Sequence, residues 1–130
     1  MILMTKDVEF YFDVGSPAAY LAWTQMPRLA AQAAARIDYR PVLLGGVFQA
    51  TGNRSPMEVP AKASYMLGDL ERFAQRYGVP FRHNPFFPIN TLTLMRGAIG
   101  LQLREPQRMV PRISVSVLIG KNGLWRKGTP

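Results

Sequence analysis

The chain has no cysteine among its 130 residues. Disulfide bonds, thiolate metal sites and a Cys-x-x-Cys redox centre are therefore excluded. The single histidine, His83, has no carboxylate or cysteine cluster beside it in the sequence, so we assign it no role and predict no metal site. Any thiol chemistry at this protein must use a thiol that arrives with a ligand.

Long apolar runs and acidic residues are also scarce. No run approaches the roughly 18 apolar residues that a membrane span requires. The chain starts with a segment too short for a signal peptide, so we expect a cytoplasmic protein with no membrane partner. The eight Asp and Glu residues face sixteen Lys and Arg residues, and the net charge of +8 suits an anionic partner. Because the basic residues are dispersed, we expect small anionic ligands rather than nucleic acid.

The segment near the start of the chain predicts a strand followed directly by a helix. Apolar and polar residues alternate over 8–13, which is typical of a β-strand. The run breaks at Gly15, Ser16 is the predicted N-cap, and Pro17 suits the first helical position. Backbone N–H groups at such a helix start favour an anion or a thiolate. Taken alone, the spacing favours the simpler interpretation that Ser16 is only a cap, worth about 1 kcal/mol.

The following pattern predicts a βαβ unit. A helix over about 17–35 and a second strand over 37–44 complete a right-handed unit with parallel strands. Pro27 falls inside the helix and predicts a kink, and Pro41 favours an edge position for the second strand. In an open α/β sheet, ligands bind at the carboxyl ends of the strands, which is where Ser16 lies.

The rest of the chain predicts two more helices. Turn-forming residues predict a loop over 45–59, and an apolar stripe predicts a helix that begins near Val59 and ends before Gly78. A proline-rich loop over 80–88 then leads to a helix over about 91–103. The apolar side chains expected to face the core from the three helices are Tyr20, Leu21, Met26, Leu29, Val59, Ala63, Met66, Leu70, Phe73, Tyr77, Leu92, Met95 and Ile99.

The motif Phe-Asp-x-x-Ser-Pro-x-x-Tyr, from Phe12 to Tyr20, resembles the opening signature of 2-hydroxychromene-2-carboxylate isomerases. These proteins are bacterial relatives of kappa-class glutathione transferases and have a thioredoxin-like fold. Further segments at 45–56, 62–70 and 84–91 are similar to the same family in the same order. The resemblance covers about residues 7–111, and several ordered segments make it more specific than one Ser-Pro dipeptide.

The resemblance implies an α/β fold that consists of the first half of a thioredoxin-like fold (βαβ) followed by an α-helical insertion. We expect the βαβ part at 1–45, the helical insertion at 46–111 and an atypical tail at 112–130. The second thioredoxin half of the family, with its cis-proline segment, is expected to be missing. We interpret the tail as an out-of-frame or truncated end. The alternative is a strand at 113–119 that replaces a missing one.

The resemblance implies glutathione-dependent isomerisation of 2-hydroxychromene-2-carboxylate to trans-o-hydroxybenzylidenepyruvate, a reaction of aromatic compound degradation. Glutathione is the implied cofactor, and Ser16 is the implied catalytic residue, whose hydroxyl hydrogen-bonds the sulfur and favours its thiolate. The nucleophile would thus be the thiolate of glutathione rather than a side chain of the protein. The other implied partner is a small aromatic carboxylate, and a homodimer is one assembly that the resemblance leaves open.

The resemblance also implies binding residues. They are Ser16, Pro17 and Asn53 for glutathione, and Asn53, Arg54, Lys62, Asn84 and Phe87 for the substrate. A substrate carboxylate requires cations and amide donors in its pocket. Considered without the resemblance, Arg54 and Lys62 fit solvated surface charges, and Asn53 fits a turn with Gly52. Asp13, near the end of the first strand, is expected to be structural.

Two other functions stay open at the level of the sequence. A kappa-like glutathione transferase that acts on other electrophiles would use the same Ser16 chemistry. Since the family segments that hold the two ends of glutathione are expected to be missing, the third interpretation is an inactive fragment that acts at most as a binding module. The sequence determines neither the true substrate, nor glutathione binding by this chain, nor the oligomeric state.

Overall fold

A computed structural model describes residues 6–104 of the chain. In chain order it contains strand β1 (Lys6–Phe12), helix α1 (Pro17–Gln32), strand β2 (Ala35–Pro41), helix α2 (Leu44–Thr51), a 3-10 helix (Pro56–Glu58), helix α3 (Pro60–Tyr77) and helix α4 (Leu92–Arg104). The predicted tail at 112–130, with its alternative strand, lies outside the described residues. None of the helices in the described part is long and apolar enough to cross a bilayer.

The first three elements form the predicted βαβ unit. β1 and β2 pair in parallel, with Lys6 opposite Ala35 and Phe12 opposite Pro41. Helix α1 ends at Gln32 rather than near residue 35 because Ala34 has a positive φ of 50° and turns the chain into β2. The unit therefore places the carboxyl end of β1 directly before the start of α1, as expected.

The prediction of a loop over 45–59 was wrong, since this segment contains α2 and the 3-10 helix. Two glycines, Gly45 and Gly46, lower the intrinsic helix propensity of α2. A distant contact compensates for this, because the Leu44 N–H donates to Asp13 Oδ2 at 2.8 Å. Gly52, with a φ of 68°, then ends the helix in the left-handed conformation.

The long helix α3 follows its predicted bounds within one residue. Gly78 caps it with a φ of 65°, and the cap N–H donates to the carbonyls of the last turn. The apolar stripe is only partly buried, because Val59 is 45% exposed and Phe73 is 39% exposed. Ala74, which the stripe did not include, is buried in place of Phe73.

The core consists of two clusters of buried side chains, which are Phe12, Val14, Met95 and Ala98 in the first and Tyr20, Leu21, Leu70 and Ala74 in the second. The first cluster joins β1 to α4, and the second joins α1 to α3. Trp23 packs against both. Leu29 and Ile99 were wrongly expected to be buried. They are 47% and 44% exposed because the neighbouring Ala30 and Ala98 face inward instead.

A hydrogen bond between Tyr20 and the loop after α3 closes the second cluster. The Tyr20 hydroxyl donates to the Pro80 carbonyl at 2.7 Å, and the Tyr20 side chain is only 3% exposed. We expect Tyr20→Phe to lower the free energy of unfolding by about 1 kcal/mol, because this hydrogen bond is lost. Urea unfolding followed by circular dichroism measures the change. Tyr65→Phe is the matched control, since Tyr65 is 69% exposed. Equal effects of the two substitutions would contradict the prediction.

Gly15 is required by close packing against the loop before α4. A Cβ at residue 15 would lie 2.6 Å from Cγ2 of Thr91. We therefore expect Gly15→Ala to lower the free energy of unfolding by about 1–3 kcal/mol through overpacking. In a Thr91→Ser background, which keeps the hydroxyl and removes Cγ2, the same change should cost much less. A double-mutant cycle by urea unfolding tests this, and an identical loss in both backgrounds rules the explanation out.

Candidate functional site

The carboxylate of Asp13 connects the starts of three helices. Asp13 is 5% exposed. Its Oδ1 accepts from the Gly15 N–H at 2.8 Å, and its Oδ2 accepts from the Leu44 N–H at 2.8 Å and from the Thr91 hydroxyl at 3.0 Å. Gly15 precedes the N-cap of α1, Leu44 is the first residue of α2, and Thr91 immediately precedes α4. These bonds, together with the positive ends of the helices, compensate for burying the negative charge. They support the expected structural role.

Ser16 caps α1 and lines a cavity. Its Oγ accepts from the Ala19 N–H at 3.2 Å, and the Ser16 hydroxyl donates to no partner within the described part of the chain. The cavity has a volume of about 350 Å³ and is lined by Tyr11, Phe12, Asp13, Ser16, Ala19, Val42, Leu44 and Val47. We call it the Ser16 cavity. The Ser16 hydroxyl, which lies at the start of α1, can donate to an anion or a thiolate bound in this cavity.

Two neighbours of Ser16 differ in their access to the Ser16 cavity. Pro17 is buried at the first position of α1 and is not among the lining residues. Tyr11, which the sequence interpretation missed, lines the wall and donates its hydroxyl to Glu9 Oε2 at 2.9 Å. That hydrogen bond and the negative charge of Glu9 raise the pKa of Tyr11 above its ordinary value. Tyr11 therefore keeps its proton at neutral pH and does not act there as a base.

A second cavity lies between the turn before α1, helix α2 with the segment that follows it, and the loop before α4. It has a volume of about 170 Å³ and is lined by Asp13, Gly15, Leu44, Gly45, Phe48, Ser55, Phe87, Pro88, Ile89 and Thr91. We call it the aromatic cavity. It contains Phe87, a predicted site residue, and adds Phe48, which sequence reasoning passed over because its segment was assigned to a loop. Its apolar walls suit a flat hydrophobic group.

Asn84 supports the loop that carries Phe87 rather than lining a cavity. It is 9% exposed. Its Oδ1 accepts from the Phe86 N–H at 2.9 Å, and its backbone carbonyl accepts from the Phe87 N–H at 3.1 Å. The structure does not bring Asn84 to the walls of the Ser16 cavity or the aromatic cavity. Its geometry is that of a side chain that fixes a turn.

The structure brings together three other predicted site residues. Asn53, Arg54, Ser55, Pro56, Glu58, Val59 and Lys62 line a third cavity of about 470 Å³. We call it the cationic cavity, since two cations face one carboxylate in its walls. Asn53, Arg54 and Lys62 are all exposed to solvent. Their amide and cationic groups can bind a carboxylate.

The three cavities adjoin one another through shared wall residues. Asp13 and Leu44 line both the Ser16 cavity and the aromatic cavity. Ser55 lines both the aromatic cavity and the cationic cavity. The Ser16 cavity therefore adjoins the aromatic cavity, which in turn adjoins the cationic cavity, so the hydroxyl donor, the apolar slot and the pair of cations lie in neighbouring cavities. Residues 6–104 contain no group of three His, Cys, Asp or Glu side chains arranged to hold a metal ion.

Comparison with curated proteins finds relatives of two kinds. The chain is 44% identical over 79 residues to 2-hydroxychromene-2-carboxylate isomerase of Sphingobium xenophagum, a match that covers 59% of this chain and 40% of that protein. It is 38% identical over 81 residues to glutathione S-transferase kappa 1 of Caenorhabditis elegans, which covers 62% of this chain and 36% of that protein. The chain thus spans less than half of the length of these relatives.

A solved structure described as 2-hydroxychromene-2-carboxylate isomerase has the same arrangement. It superposes with a TM-score of 0.63 at 32% sequence identity, over 72% of this chain and 46% of that one. The family model of the DSBA-like thioredoxin domain matches residues 7–120, which is most of the sequence. The βαβ unit, the helices that follow it and these matches confirm the resemblance seen in the sequence: the chain belongs to the DSBA-like thioredoxin domain family.

Proposed function

We propose that this protein catalyses the glutathione-dependent isomerisation of 2-hydroxychromene-2-carboxylate to trans-o-hydroxybenzylidenepyruvate, a reaction in the breakdown of aromatic compounds. The observation that carries the proposal is the series of three neighbouring cavities, in which the aromatic cavity shares Asp13 and Leu44 with the Ser16 cavity and Ser55 with the cationic cavity. The names of the relatives support the same reaction. Each cavity matches one part of the reaction partners: a thiol, an aromatic ring and a carboxylate.

Two of the residues expected to bind glutathione, Ser16 and Asn53, carry groups that suit it. The Ser16 oxygen accepts from the Ala19 N–H, so the hydroxyl hydrogen is left to donate to a sulfur in the Ser16 cavity. The Asn53 side chain, exposed in the cationic cavity, offers an amide to a peptide or carboxylate group. When bound, glutathione supplies a thiolate whose reversible addition to the conjugated double bond of the substrate allows rotation about that bond.

The role of Ser16 is to hold the sulfur in its anionic form. A hydroxyl donor lowers the pKa of a thiol, and the start of α1 adds the positive end of a helix dipole. Ser16 itself forms no covalent bond in this scheme, which is why a chain without cysteine can carry thiol chemistry.

The substrate is held by its two ends. Arg54 and Lys62 bind the carboxylate by charge-assisted hydrogen bonds, and Arg54 can present two N–H groups to one carboxylate. Phe48 and Phe87 contact the aromatic ring across the aromatic cavity. Binding at both ends holds the conjugated bond where the aromatic cavity and the cationic cavity adjoin, beside Ser55.

The relatives named kappa glutathione transferases favour a second candidate function. Glutathione S-transferase kappa 1 of Rattus norvegicus is 28% identical over 112 residues and covers 82% of this chain. In this alternative, the same Ser16 thiolate chemistry acts on other electrophiles. Turnover of a generic aromatic halide, compared with turnover of the hydroxychromene, separates the two candidates. A cytoplasmic location and a homodimer stay predictions, as does the alternative of a binding module without catalysis.

The hydroxyl of Ser16 should be required for turnover independently of its capping role. We expect Ser16→Asp to preserve the stability of α1, because aspartate is an equally good N-cap, and to reduce glutathione-dependent turnover at least about a hundredfold, because its carboxylate has no hydrogen to donate to the sulfur. Ser16→Thr retains a hydroxyl and should retain measurable turnover. Absorbance of the hydroxychromene with and without glutathione gives the rates. Full turnover by Ser16→Asp, or turnover of the unchanged protein that does not depend on glutathione, would refute the proposal.

The cations should bind the substrate rather than take part in the chemistry. We expect Arg54→Gln and Lys62→Gln each to raise the KM for the hydroxychromene about five- to tenfold, because each loses a charge-assisted hydrogen bond of roughly 1–1.4 kcal/mol. The kcat should change little. Arg76→Gln, at the opposite end of α3 from Lys62, is the matched control for loss of one positive charge. An equal rise in KM for this control would show that only net charge matters.

A further inference from the structure

We propose that Asp13 is a positioning residue, which holds the Ser16 hydroxyl at a fixed place relative to α2. The inference rests on the proposed function only for its effect on turnover. Its structural content concerns residues of this chain alone: the carboxylate keeps the turn before α1 and the first turn of α2 together as one unit. Asp13 is then more than a side chain that adds stability.

On the side of α1, Asp13 controls the turn that presents Ser16. The Ser16 N–H donates to the Asp13 carbonyl at 2.9 Å, and the intervening Gly15 N–H donates to Asp13 Oδ1 at 2.8 Å. Side chain and backbone of Asp13 thus hold both residues that precede Pro17. The direction of the Ser16 hydroxyl follows from this turn.

On the side of α2, Asp13 acts as an N-cap from a distance. The residue at the N-cap position, Leu43, has no side-chain oxygen and makes no capping hydrogen bond. Asp13 Oδ2 fills that role, since it accepts from the N–H of Leu44 at 2.8 Å. Asp13 and Leu44 are also the two residues shared by the Ser16 cavity and the aromatic cavity. Their hydrogen bond therefore sets the separation between the hydroxyl and the wall that faces it.

An amide in place of the carboxylate does not reproduce this arrangement. The two carboxylate oxygens of Asp13 each accept from a different backbone N–H. Asparagine has one oxygen and one NH₂ group, so in either orientation its NH₂ group opposes the N–H of Gly15 or that of Leu44. One of the two connections is lost, although the size of the side chain is unchanged.

A pair of substitutions at Leu44 breaks the same connection and leaves Asp13 intact. Proline is favourable at the first position of a helix and has no N–H, and the extended backbone of Leu43 (φ −93°, ψ 103°) suits a following proline. Leu44→Pro therefore removes the donor to Asp13. Leu44→Ala removes the side chain and keeps the donor, so it is the matched control. Asp69→Asn, on the surface of α3, is the control for the loss of a carboxylate in Asp13→Asn, since the Asp69 side chain is 37% exposed and pairs with Arg72.

Amide hydrogen exchange tests the inference without any activity. The Ala19 amide reports the position of the Ser16 hydroxyl directly, because it donates to Oγ. We expect its exchange to accelerate at least about tenfold in Asp13→Asn and in Leu44→Pro, beyond any change in global stability, and to stay unchanged in Leu44→Ala and Asp69→Asn. If Asp13→Asn does not fold, the Leu44 pair decides. Unchanged Ala19 exchange in Leu44→Pro overturns the inference, whether or not the protein is an enzyme.

Kinetics give the second readout. With an active preparation, we expect kcat of Leu44→Pro to fall at least about tenfold below that of Leu44→Ala, with a smaller difference in KM, because both variants remove the same side chain from the aromatic cavity and both retain Arg54 and Lys62. Equal kcat values for the two variants overturn the positioning role. If the unchanged protein shows no turnover, the proposed function is refuted. If Ala19 exchange nevertheless accelerates in Asp13→Asn and Leu44→Pro, the positioning of Ser16 by Asp13 is still supported.

Discussion

The buried carboxylate of Asp13 is the interaction on which the rest of the described structure depends. A buried charge is costly unless it is hydrogen-bonded, and here two backbone N–H groups and one hydroxyl donate to the carboxylate. Because those donors lie at the starts of α1, α2 and α4, their hydrogen bonds to one carboxylate hold the starts of the three helices close together. The convergence places Ser16 and the loop of Phe87 on the two sides of a common wall. The candidate site therefore lies where the hydrogen bonds to the Asp13 carboxylate bring the three helix starts together.

The candidate site combines three kinds of surface: a hydroxyl donor, an aromatic wall and a cationic wall. A hydroxyl at a helix start suits an anionic sulfur, two phenylalanines suit a ring, and Arg54 with Lys62 suits a carboxylate. The relatives carry two different names, isomerase and transferase, on the same fold. The choice between those chemistries therefore depends on the cavity walls rather than on the fold. In this chain the aromatic and cationic walls adjoin at Ser55, an arrangement that is compatible with the proposed aromatic carboxylate.

The errors of the sequence interpretation have a common cause. Gly45 and Gly46 indicate a loop by composition, yet α2 forms there because Asp13 supplies the N-terminal acceptor that Leu43 lacks. Phe48 was missed for the same reason, since its place in a cavity wall depends on α2. Similarly, Phe73 fits the apolar stripe of α3 but is exposed, because the face of α3 that packs on α1 carries Leu70 and Ala74. In each case a contact between distant segments overrode a local preference.

The sequence by itself determined the features that depend on neighbouring residues. The alternation in β1, the Ser16 cap with Pro17 behind it, and the stop of α3 at Gly78 each follow from interactions within a few residues, and the parallel βαβ unit follows from their order. Only the tertiary structure decided α2, the grouping of the three cavities and the role of Asp13. The carboxylate meets its partners 31 and 78 residues further along the chain, and no local periodicity encodes a pairing over such distances.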